Sequence, residues 1–270
     1  MLEIRQVRKV FHRGTPNEVR ALQGVDLAAD GQSFVVVIGT NGSGKTTLLN
    51  AVAGTVFVDS GSILLGDNDI TRWPEHRRAK LIGRVFQNPF SGTAPHMTIA
   101  ENLAMAVRRG HRRGFGWSLS KGLLSEFRDR VRQLNMGLED RLNNVIGTLS
   151  GGQRQALTLL MATCLKPQLL LLDEHTAALD PKSAEQVIEL TAQIVQREKL
   201  NTLMVTHSMR HAVNLGDRLI MMNHGEIIQD FRGAEKLRLR VEDLLTRFEE
   251  VRRAEQLDQS AAQMLEQLYL

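Results

Sequence analysis

A run of five apolar residues just before a glycine-rich turn constrains the fold of this chain more than any other feature. Residues 34–38 (FVVVI) contain no polar position, which is typical of a strand buried on both faces. The turn is followed by Leu48, Leu49 and Val52 at helical spacing. Strand, tight turn and helix in this order begin an α/β unit. We therefore predict an α/β fold.

The turn itself fits the pattern G-x-x-x-x-G-K-[ST] at every fixed position. Glycines let successive backbone N–H groups curve around phosphate oxygens, and the following helix adds its N-terminal partial positive charge. We expect Lys45 to reach the β- and γ-phosphates and the Thr46 hydroxyl to ligate Mg²⁺. A glycine-rich turn without a ligand would not explain Lys-Thr at this spacing, so we predict a nucleoside triphosphate site. Its candidate binding residues are Gly39, Thr40, Asn41, Gly42, Ser43, Gly44, Lys45, Thr46 and Thr47.

A second apolar run ends in two carboxylates. Residues 169–172 are four leucines, and Asp173 and Glu174 follow them. The carboxyl ends of the strands are where α/β sheets place ligands, so we predict Asp173 as a metal ligand. Glu174 is well placed to polarise an attacking water. A solvated turn is the weaker alternative. The chain lacks Asn-Lys-x-Asp, the usual guanine-reading element of GTPases, which favours ATP.

The composition excludes several classes of protein. With 42% hydrophobic and 24% charged residues among 270, the chain has the composition of a soluble globular protein. The single cysteine, Cys164, suits a reducing compartment. No uncharged stretch reaches the roughly 18 residues that a membrane helix needs, and the N-terminus lacks the apolar segment of a secretory signal. We expect the chain to stay in the cytosol and not to cross a membrane by itself.

Residues 149–153 (LSGGQ) lie 20 residues before Asp173. Together with the phosphate loop and the two carboxylates, they resemble the ATP-binding cassette (ABC) ATPase family over about residues 2–232. The resemblance implies an ABC ATPase domain over 1–232: a RecA-like P-loop core, an antiparallel β-subdomain and an inserted α-helical subdomain at about 93–155. It leaves residues 233–270 as an amphipathic helical C-terminal extension.

Further residues match elements of this family in the expected order. Gln87 resembles the glutamine that contacts metal and water and faces the transmembrane partner. Asp180, in the segment AALD, resembles the D-loop aspartate. His207 resembles the switch histidine that contacts the γ-phosphate, and Phe11 occupies the place of the aromatic residue that stacks on adenine. An aromatic side chain on an early strand could equally belong to the core, so both interpretations of Phe11 stay open.

The segment Ser150, Gly151, Gly152, Gln153 predicts a second phosphate cradle. Its small residues offer free N–H groups at the start of a helix, and one chain does not need two cradles for one γ-phosphate. The family's solution is a head-to-tail dimer in which each signature closes over the ATP of the other chain. A homodimer is the simplest expectation for a chain with one of each motif.

The resemblance also implies a function. It indicates the ATP-hydrolysing subunit of a bacterial ABC transporter, with ATP and Mg²⁺ as cofactors and transmembrane permease subunits as partners. Such a subunit lies peripherally on the cytoplasmic face of the inner membrane. The segment DEHTAALDP resembles importers of amino-acid type that use an extracytoplasmic solute-binding protein, with aromatic amino acids as a possible cargo. A soluble ABC ATPase of cofactor assembly and an exporter subunit remain alternatives.

A nucleic-acid ABC protein is disfavoured, because two cassettes, zinc-binding insertions and long coiled coils are missing.

Within the segment DEHTAALDP, His175 departs from the commonest pattern, which has a small residue or proline. It could contact a dimer partner, shift the basicity of Glu174, or be a tolerated loop residue.

The net charge of +4 is unevenly distributed. Residues 72–84 and residues 105–113 each carry +4, which leaves the rest of the chain at −4. We predict that this basic cluster lies near lipid headgroups or an acidic coupling surface, with a solvated face as the alternative. In the C-terminal tail from about Lys236, apolar residues fall on one helical face, which predicts one long amphipathic helix or a helical hairpin. We expect it to pack on the body of the chain, with a dimer arm as the alternative. These residues are Val241, Leu244, Leu245, Phe248, Val251, Leu257, Ala261, Met264, Leu265 and Leu268.

Overall fold

The computed structural model describes residues 1–110, 119–251 and 253. Its strands are β1 (Leu2–Phe11), β2 (Val19–Ala29), β3 (Phe34–Gly39), β4 (Ser60–Leu65), β5 (Asn68–Asp69), β6 (Ile82–Val85), β7 (Leu169–Asp173), β8 (Thr202–Val205), β9 (Arg218–Asn223) and β10 (Glu226–Arg232). Its helices are α1 (Lys45–Ala53), α2 (Glu75–Arg78), α3 (Ile99–Val107), α4 (Lys121–Arg132), α5 (Gly151–Thr163), α6 (Pro181–Glu198), α7 (Met209–Asn214) and α8 (Gly233–Arg238), with a 3-10 turn at Ile146–Thr148.

A six-stranded sheet forms the centre, in the order β10-β9-β3-β8-β7-β6. All neighbours are parallel except β10, which pairs antiparallel to β9. Every residue of β3 is buried. Val35 and Val37 belong to one hydrophobic cluster, and Val36 and Ile38 to the other. The prediction of a strand covered on both faces is therefore confirmed.

A second sheet of four strands, β2-β1-β4-β5, packs on one side of the centre. All its pairings are antiparallel. Leu2, Ile4 and Val7 of β1 share a cluster with Leu48 and Leu49 of α1. This antiparallel layer and the P-loop core together form the predicted α/β architecture, and β1 and β2 bring the N-terminal part of the chain close to the phosphate loop.

The sequence pattern over 98–144 predicts helices with an interruption at 110–116, most of which lies outside the described residues. Helix α3 begins with a capping box, in which Thr98 and Glu101 each bond the other's backbone N–H. Phe127 and Val131 of α4 are fully buried in the cluster on the helical side of the central sheet. The expected boundary at about residue 155 falls inside α5, which continues to Thr163.

Several element bounds differ from the sequence expectation. The basic pattern over 72–80 predicts a helix there, but α2 begins only after Pro74 at its N-cap. The sequence of β10 does not predict a strand, because polar and apolar residues do not alternate: Ile227 and Ile228 are adjacent and are followed by Gln229 and Asp230.

The described part of the C-terminal tail, through residue 251, packs on the body of the chain as predicted. It does not run as one helix from Lys236, because Leu239 has extended backbone angles between α8 and a helix over 241–251. Leu239 and Leu244 are buried in the main core cluster, and the Arg247 guanidinium lies 5.0 Å from the Phe231 ring. The predicted face residues Leu257, Ala261, Met264, Leu265 and Leu268 lie outside the described residues.

The prediction of a basic surface cluster is wrong for three of its members, Arg78, Arg84 and Arg109, and Arg109 donates to the Ala162 carbonyl at 3.1 Å. Arg78 is 0% exposed and donates to the carbonyls of Ala51 and Val52 at 2.6 and 2.8 Å. It thereby closes the C-terminal end of α1, and burial lowers its pKa to about 10 despite the opposing charge of Asp69. Arg84 also points inward. Of the second basic segment, Arg112 and Arg113 lie outside the described residues.

Over the part of the chain that the structure describes, no helix combines the length and the apolar character needed to span a bilayer.

Candidate functional site

The phosphate loop connects β3 to α1 in a tightly enclosed turn. A Cβ atom on Gly39 would lie 2.2 Å from the Met222 carbonyl oxygen, and one on Gly44 would lie 2.4 Å from the Ala21 carbonyl oxygen. Gly44 is also the N-cap of α1 with a φ of 98°, which L side chains rarely adopt. These close approaches by β2 and β9 explain why the loop needs glycine at both positions.

Lys45 is turned into this loop. Its ammonium donates to the carbonyl oxygens of Gly39 at 2.9 Å and Thr40 at 2.7 Å. Burial lowers the Lys45 pKa, while the charge of Glu174 acts in the opposite direction. Thr46 is exposed at the start of α1. A cation and a set of helix-start N–H groups therefore converge on one concave loop, which suits a polyphosphate.

The end of β9 and the turn that follows it hydrogen-bond the phosphate loop. The Thr40 hydroxyl hydrogen-bonds Oδ1 of Asn223 at 3.0 Å, and the Gly225 N–H donates to the Ser43 carbonyl at 3.1 Å. Sequence reasoning missed this support. Asn223 lies 183 residues from Thr40, and no local pattern shows that the two meet.

The two carboxylates lie at the carboxyl end of β7, where strand order predicts them. Glu174 has a φ of 45°, and its N–H donates to the Val205 carbonyl at 3.0 Å. Its Oε1 lies 2.6 Å from Nε2 of His207. The Glu174 side chain is 12% exposed and the His207 side chain 49% exposed, so the pair opens to solvent through the histidine.

Gln87 lies on the wall of a cleft of about 800 Å³. The same cleft reaches Asp173 on one side and Gly151 on the other. It is lined by residues 86–91, Leu149, Gly151, Arg154, Asp173, Ala178 and Leu179. The fold thus brings Gln87 near the predicted metal ligand and the signature segment, although the three come from distant parts of the chain.

The signature segment opens α5 as predicted, and Ser150 and Gln153 form a capping box. The Ser150 hydroxyl accepts from the Gln153 N–H at 3.2 Å, and the Gln153 side chain accepts from the Ser150 N–H at 3.3 Å. Ser150 and Gly151 are exposed, whereas Gly152 is buried and packs on Ser183 of α6. The open face of this cradle is available to a second molecule.

The two remaining predicted residues, Asp180 and Phe11, lie at the ends of secondary-structure elements. Asp180 is the N-cap of α6 and accepts from the Ser183 N–H at 3.0 Å. Its hydrogen bonds with Ser183 lower its pKa. Phe11 ends β1, half-buried, with the Lys9 ammonium 5.4 Å from its ring centre.

The oxygen donors available here fit a small hard cation. Thr46 offers a hydroxyl, Asp173 a carboxylate and Gln87 an amide oxygen, the donor types that Mg²⁺ takes in phosphate sites. Within the described residues, no group of three or more His, Cys, Asp or Glu side chains could hold a metal by itself. This donor set suits a metal whose remaining ligands come from water and the nucleotide phosphates.

Comparison with known proteins decides the family. The model of a family described as "ABC transporter" matches residues 22–177. The chain belongs to the ABC transporter family. It is 42% identical over 251 residues to a tyrosine transport ATP-binding protein of Clostridioides difficile, covering 92% of this chain and 99% of that relative.

More distant ABC relatives are longer. A spermidine/putrescine import ATP-binding protein of Haemophilus influenzae is 34% identical over 232 residues, and the match covers 85% of this chain but 57% of that relative. A sulfate/thiosulfate import ATP-binding protein of Synechococcus elongatus is 35% identical over 233 residues, covering 84% of this chain and 61% of the relative.

Solved ABC structures share the fold. A dimeric cassette in a post-hydrolysis state bound to ADP and Pi superposes with a TM-score of 0.72 at 25% identity, covering 86% of this chain and 98% of that one. The ADP conformation of another cassette gives 0.74 at 25% identity, with 91% and 94% covered. The chain is therefore an ATP-hydrolysing, nucleotide-binding subunit of an ABC transporter.

Within this ABC cassette, His175 turns into the interior. It is 1% exposed, and its Nε2 lies 3.0 Å from the Thr191 hydroxyl. Because that hydroxyl donates to the Val187 carbonyl at 2.7 Å, Nε2 must carry the proton. Burial, and then the nearby His211, lower the His175 pKa to about 3. Of the three possibilities for His175, its burial against α6 excludes contact with a dimer partner, and the neutral ring is an interior anchor for the loop that carries Glu174.

Proposed function

We propose that this ABC subunit hydrolyses ATP to power import of an amino acid, with aromatic amino acids as the favoured class. The observation that carries the substrate class is its 42% identity with the tyrosine transport relative over nearly the full length of both chains. The names of the polyamine and sulfate relatives describe import, which favours that direction over export.

For hydrolysis, the pair of Glu174 and His207 supports a division of labour. Glu174 accepts a proton from the attacking water, because it is a carboxylate at the mouth of the site. His207 orients that carboxylate through their 2.6 Å contact and contacts the γ-phosphate. Lys45 and the N–H groups of residues 39–47 hold the β- and γ-phosphates, where negative charge develops.

Thr46, Asp173 and Gln87 are the residues we propose to hold Mg²⁺. The metal would neutralise charge on the phosphate oxygens. On the adenine side, Phe11 is the proposed stacking partner, since its ring is half-buried at the end of β1.

A second copy of the chain completes the site. Ser150 and Gly151 are exposed and Gln153 is half-buried, so we propose that this cradle, with Gly152 behind it and Asp180 beside it, closes over the ATP of the partner. The dimeric ABC relative bound to ADP and Pi supports this arrangement. A dimer with two ATP molecules between its halves couples association directly to hydrolysis.

We propose transmembrane permease subunits as the partners that give the chain its place on the cytoplasmic face of the inner membrane. An extracytoplasmic solute-binding protein would deliver the cargo. Residues 86–91 line an open cleft beside the predicted metal ligand, which suits them to transmit motion to such a partner. The domain division proposed from sequence, with residues 1–232 as the ATPase and 93–155 as its inserted helical part, is compatible with this role.

Two measurements test the proposal. Light scattering of a Glu174→Gln variant with ATP should show a dimer, and monomer alone would contradict the shared site. The tagged chain, extracted with detergent from its native membranes, should bring hydrophobic permease chains, and proteoliposomes of that complex should accumulate labelled tyrosine on ATP addition. A chain that is recovered without membrane proteins would instead favour a soluble ABC ATPase of cofactor assembly.

A further inference from the structure

A partly buried ion pair joins the ends of β6 and β7. Nη2 of Arg84 lies 3.3 Å from Oδ2 of Asp173, and the two side chains are 12% and 13% exposed. The strands that carry them are parallel neighbours, with Arg84 opposite Leu171. A permanent cation therefore lies beside the carboxylate that we propose as a metal ligand.

The guanidinium is held in place independently of Asp173. Its Nη2 donates to Oδ1 of Asn50 at 2.7 Å, and its Nη1 donates to the Thr55 hydroxyl at 3.1 Å. Its centre lies 4.6 Å from the centre of the Phe86 ring. Asn50 is in α1, the helix that starts at the phosphate loop. Arg84 thus links that helix, the end of β7 and the segment leading to Gln87.

The electrostatics of this arrangement follow from burial. A carboxylate with little access to water is costly unless a cation accompanies it. Arg84 supplies that charge when no metal is present. A metal ion that arrives at the same carboxylate meets a fixed positive charge, and partly buried charges repel each other with little screening by salt.

We propose that Arg84 is the counter-ion of Asp173 in the metal-free protein and that it weakens the affinity of the site for Mg²⁺. It is a positioning residue, since it acts through Asp173 and not on the substrate. The inference rests on the proposed function in one respect, the assignment of Asp173 as a metal ligand. Its consequence is a site whose carboxylate is balanced before the metal arrives and after it leaves.

The test compares nucleotide binding with and without metal. The dissociation constant of a fluorescent ADP derivative is measured in EDTA and in saturating Mg²⁺. The constant in EDTA divided by the constant in Mg²⁺ gives the contribution of the metal to nucleotide binding. In Arg84→Gln and Arg84→Met we expect this ratio to rise about 3- to 10-fold, because the repelling charge is gone. Arg84→Lys keeps the charge but not the bonds of the guanidinium, so the ratio should rise less than in the two neutral variants.

Arg132→Gln is the matched control. Arg132 forms an exposed ion pair with Asp129 on α4, so its loss should leave the ratio unchanged. A ratio that is unchanged or smaller in Arg84→Gln and Arg84→Met would overturn the inference. A ratio that rises equally in Arg84→Lys would also overturn it, because geometry and not charge would then be responsible.

Thermal unfolding in EDTA keeps the inference testable where a single variant folds poorly. Arg84→Gln should lower the midpoint by several degrees, since it leaves Asp173 without a cation, and adding Asp173→Asn should restore part of that loss. No restoration would contradict the counter-ion role.

Two nucleotide-binding measurements test the assignment of Asp173 as a metal ligand separately. If Mg²⁺ does not strengthen binding to the unmodified chain, or if it strengthens binding equally in Asp173→Asn, that assignment and the inference that rests on it are both wrong. If both measurements behave as proposed and the Arg84 variants do not, only the counter-ion role is wrong.

Discussion

Two glycine-rich helix starts in this molecule have nearly the same chemistry and opposite surroundings. The closed cradle, residues 39–46, starts α1, and the open cradle, residues 150–153, starts α5. Among the described residues, no side chain caps α1 at Gly44, whereas Ser150 caps α5 with its own hydroxyl. The closed cradle uses no side chain of the described residues to satisfy its N–H groups, although the Ser43 N–H donates to the Thr40 carbonyl at 3.2 Å, whereas the open cradle satisfies the Gln153 N–H with the Ser150 hydroxyl.

Their neighbours differ as well. The closed cradle is packed against the backbone of β2 and β9 and holds Lys45 in its concave face. The open cradle meets its own chain through Gly152 and stays exposed at Ser150 and Gly151. We propose that the first holds the nucleotide phosphates of its own chain and that the second is one wall of the site that a second copy completes. Glycine content alone therefore does not distinguish the two cradles. The residues that pack around each cradle distinguish them.

The largest effect should come from adding one methyl group to each cradle. In Gly44→Ala the new Cβ meets the Ala21 carbonyl at 2.4 Å, and the φ of 98° is strained for alanine. We expect ATP affinity to fall by about 100-fold or more. In Gly151→Ala the new Cβ lies 3.1 Å from the flexible end of Leu179, so the ATP affinity of the monomer should change by less than about twofold while ATP-driven dimerisation falls.

Fluorescent nucleotide titration and light scattering measure the two quantities, and circular dichroism checks that each variant folds. Equal losses of monomer affinity in the two variants would abolish the distinction between the cradles.

The loop that carries Glu174 should also determine sensitivity to acid. His175, on the loop after Glu174, has a pKa lowered to about 3 by burial and by His211. Its usual pKa in the unfolded chain is about 6.5. A lowered histidine pKa means that the unfolded state binds more protons, so this stability is fully present above about pH 6.5 and is lost as the pH falls toward 3.

We expect the free energy of unfolding to drop by about 2 kcal/mol between pH 7 and pH 5 through this residue. His175→Gln should flatten that dependence in urea titrations. His76→Gln, at an exposed position of α2, should leave it unchanged. An equally steep loss in His175→Gln would place the acid sensitivity elsewhere.

Sequence reasoning predicted the closed cradle more completely than its supports. The motif over 39–46 and the run ending at Asp173 are contiguous in sequence, and contiguous patterns determine local geometry well. Arg84 and Asn223 were missed as parts of the site because their partners are distant: Asp173 is 89 residues from Arg84, and Thr40 is 183 residues from Asn223. Arg84 was instead assigned to a basic surface, since charge counting along a sequence does not show which side chains turn inward.

His175 shows a different limit. The sequence shows that it departs from the usual residue, but whether it faces a partner or the interior depends on how α6 packs on the loop. The bounds of the C-terminal helices failed for a similar reason. The sequence predicts a helix from about Lys236, but the chain becomes extended at Leu239 between two helices, and periodicity alone does not reveal where tertiary contacts end a helix.

The support under the closed cradle should have a moderate effect. Asn223→Ala removes the acceptor of the Thr40 hydroxyl, and the loss of one such bond, worth about 1 kcal/mol, should weaken ATP binding about fivefold. Asn201→Ala is the matched control, since Asn201 bonds the Gln168 carbonyl on another part of the chain. Equal affinities in Asn223→Ala and the unmodified chain would show that the closed cradle does not depend on this brace.

The smallest effect should come from the cap of the open cradle. Ser150→Ala removes the hydroxyl that accepts from the Gln153 N–H, and a lost N-cap costs about 1 kcal/mol. The midpoint of thermal unfolding should therefore fall by about 2 to 4 °C, with ATP affinity of the monomer unchanged. Ser120→Ala, which removes the corresponding cap of α4, should lower the midpoint by a similar amount without affecting dimerisation. Loss of monomer ATP affinity in Ser150→Ala would mean that the open cradle already contacts its own chain's nucleotide, and the two cradles would then be parts of one site.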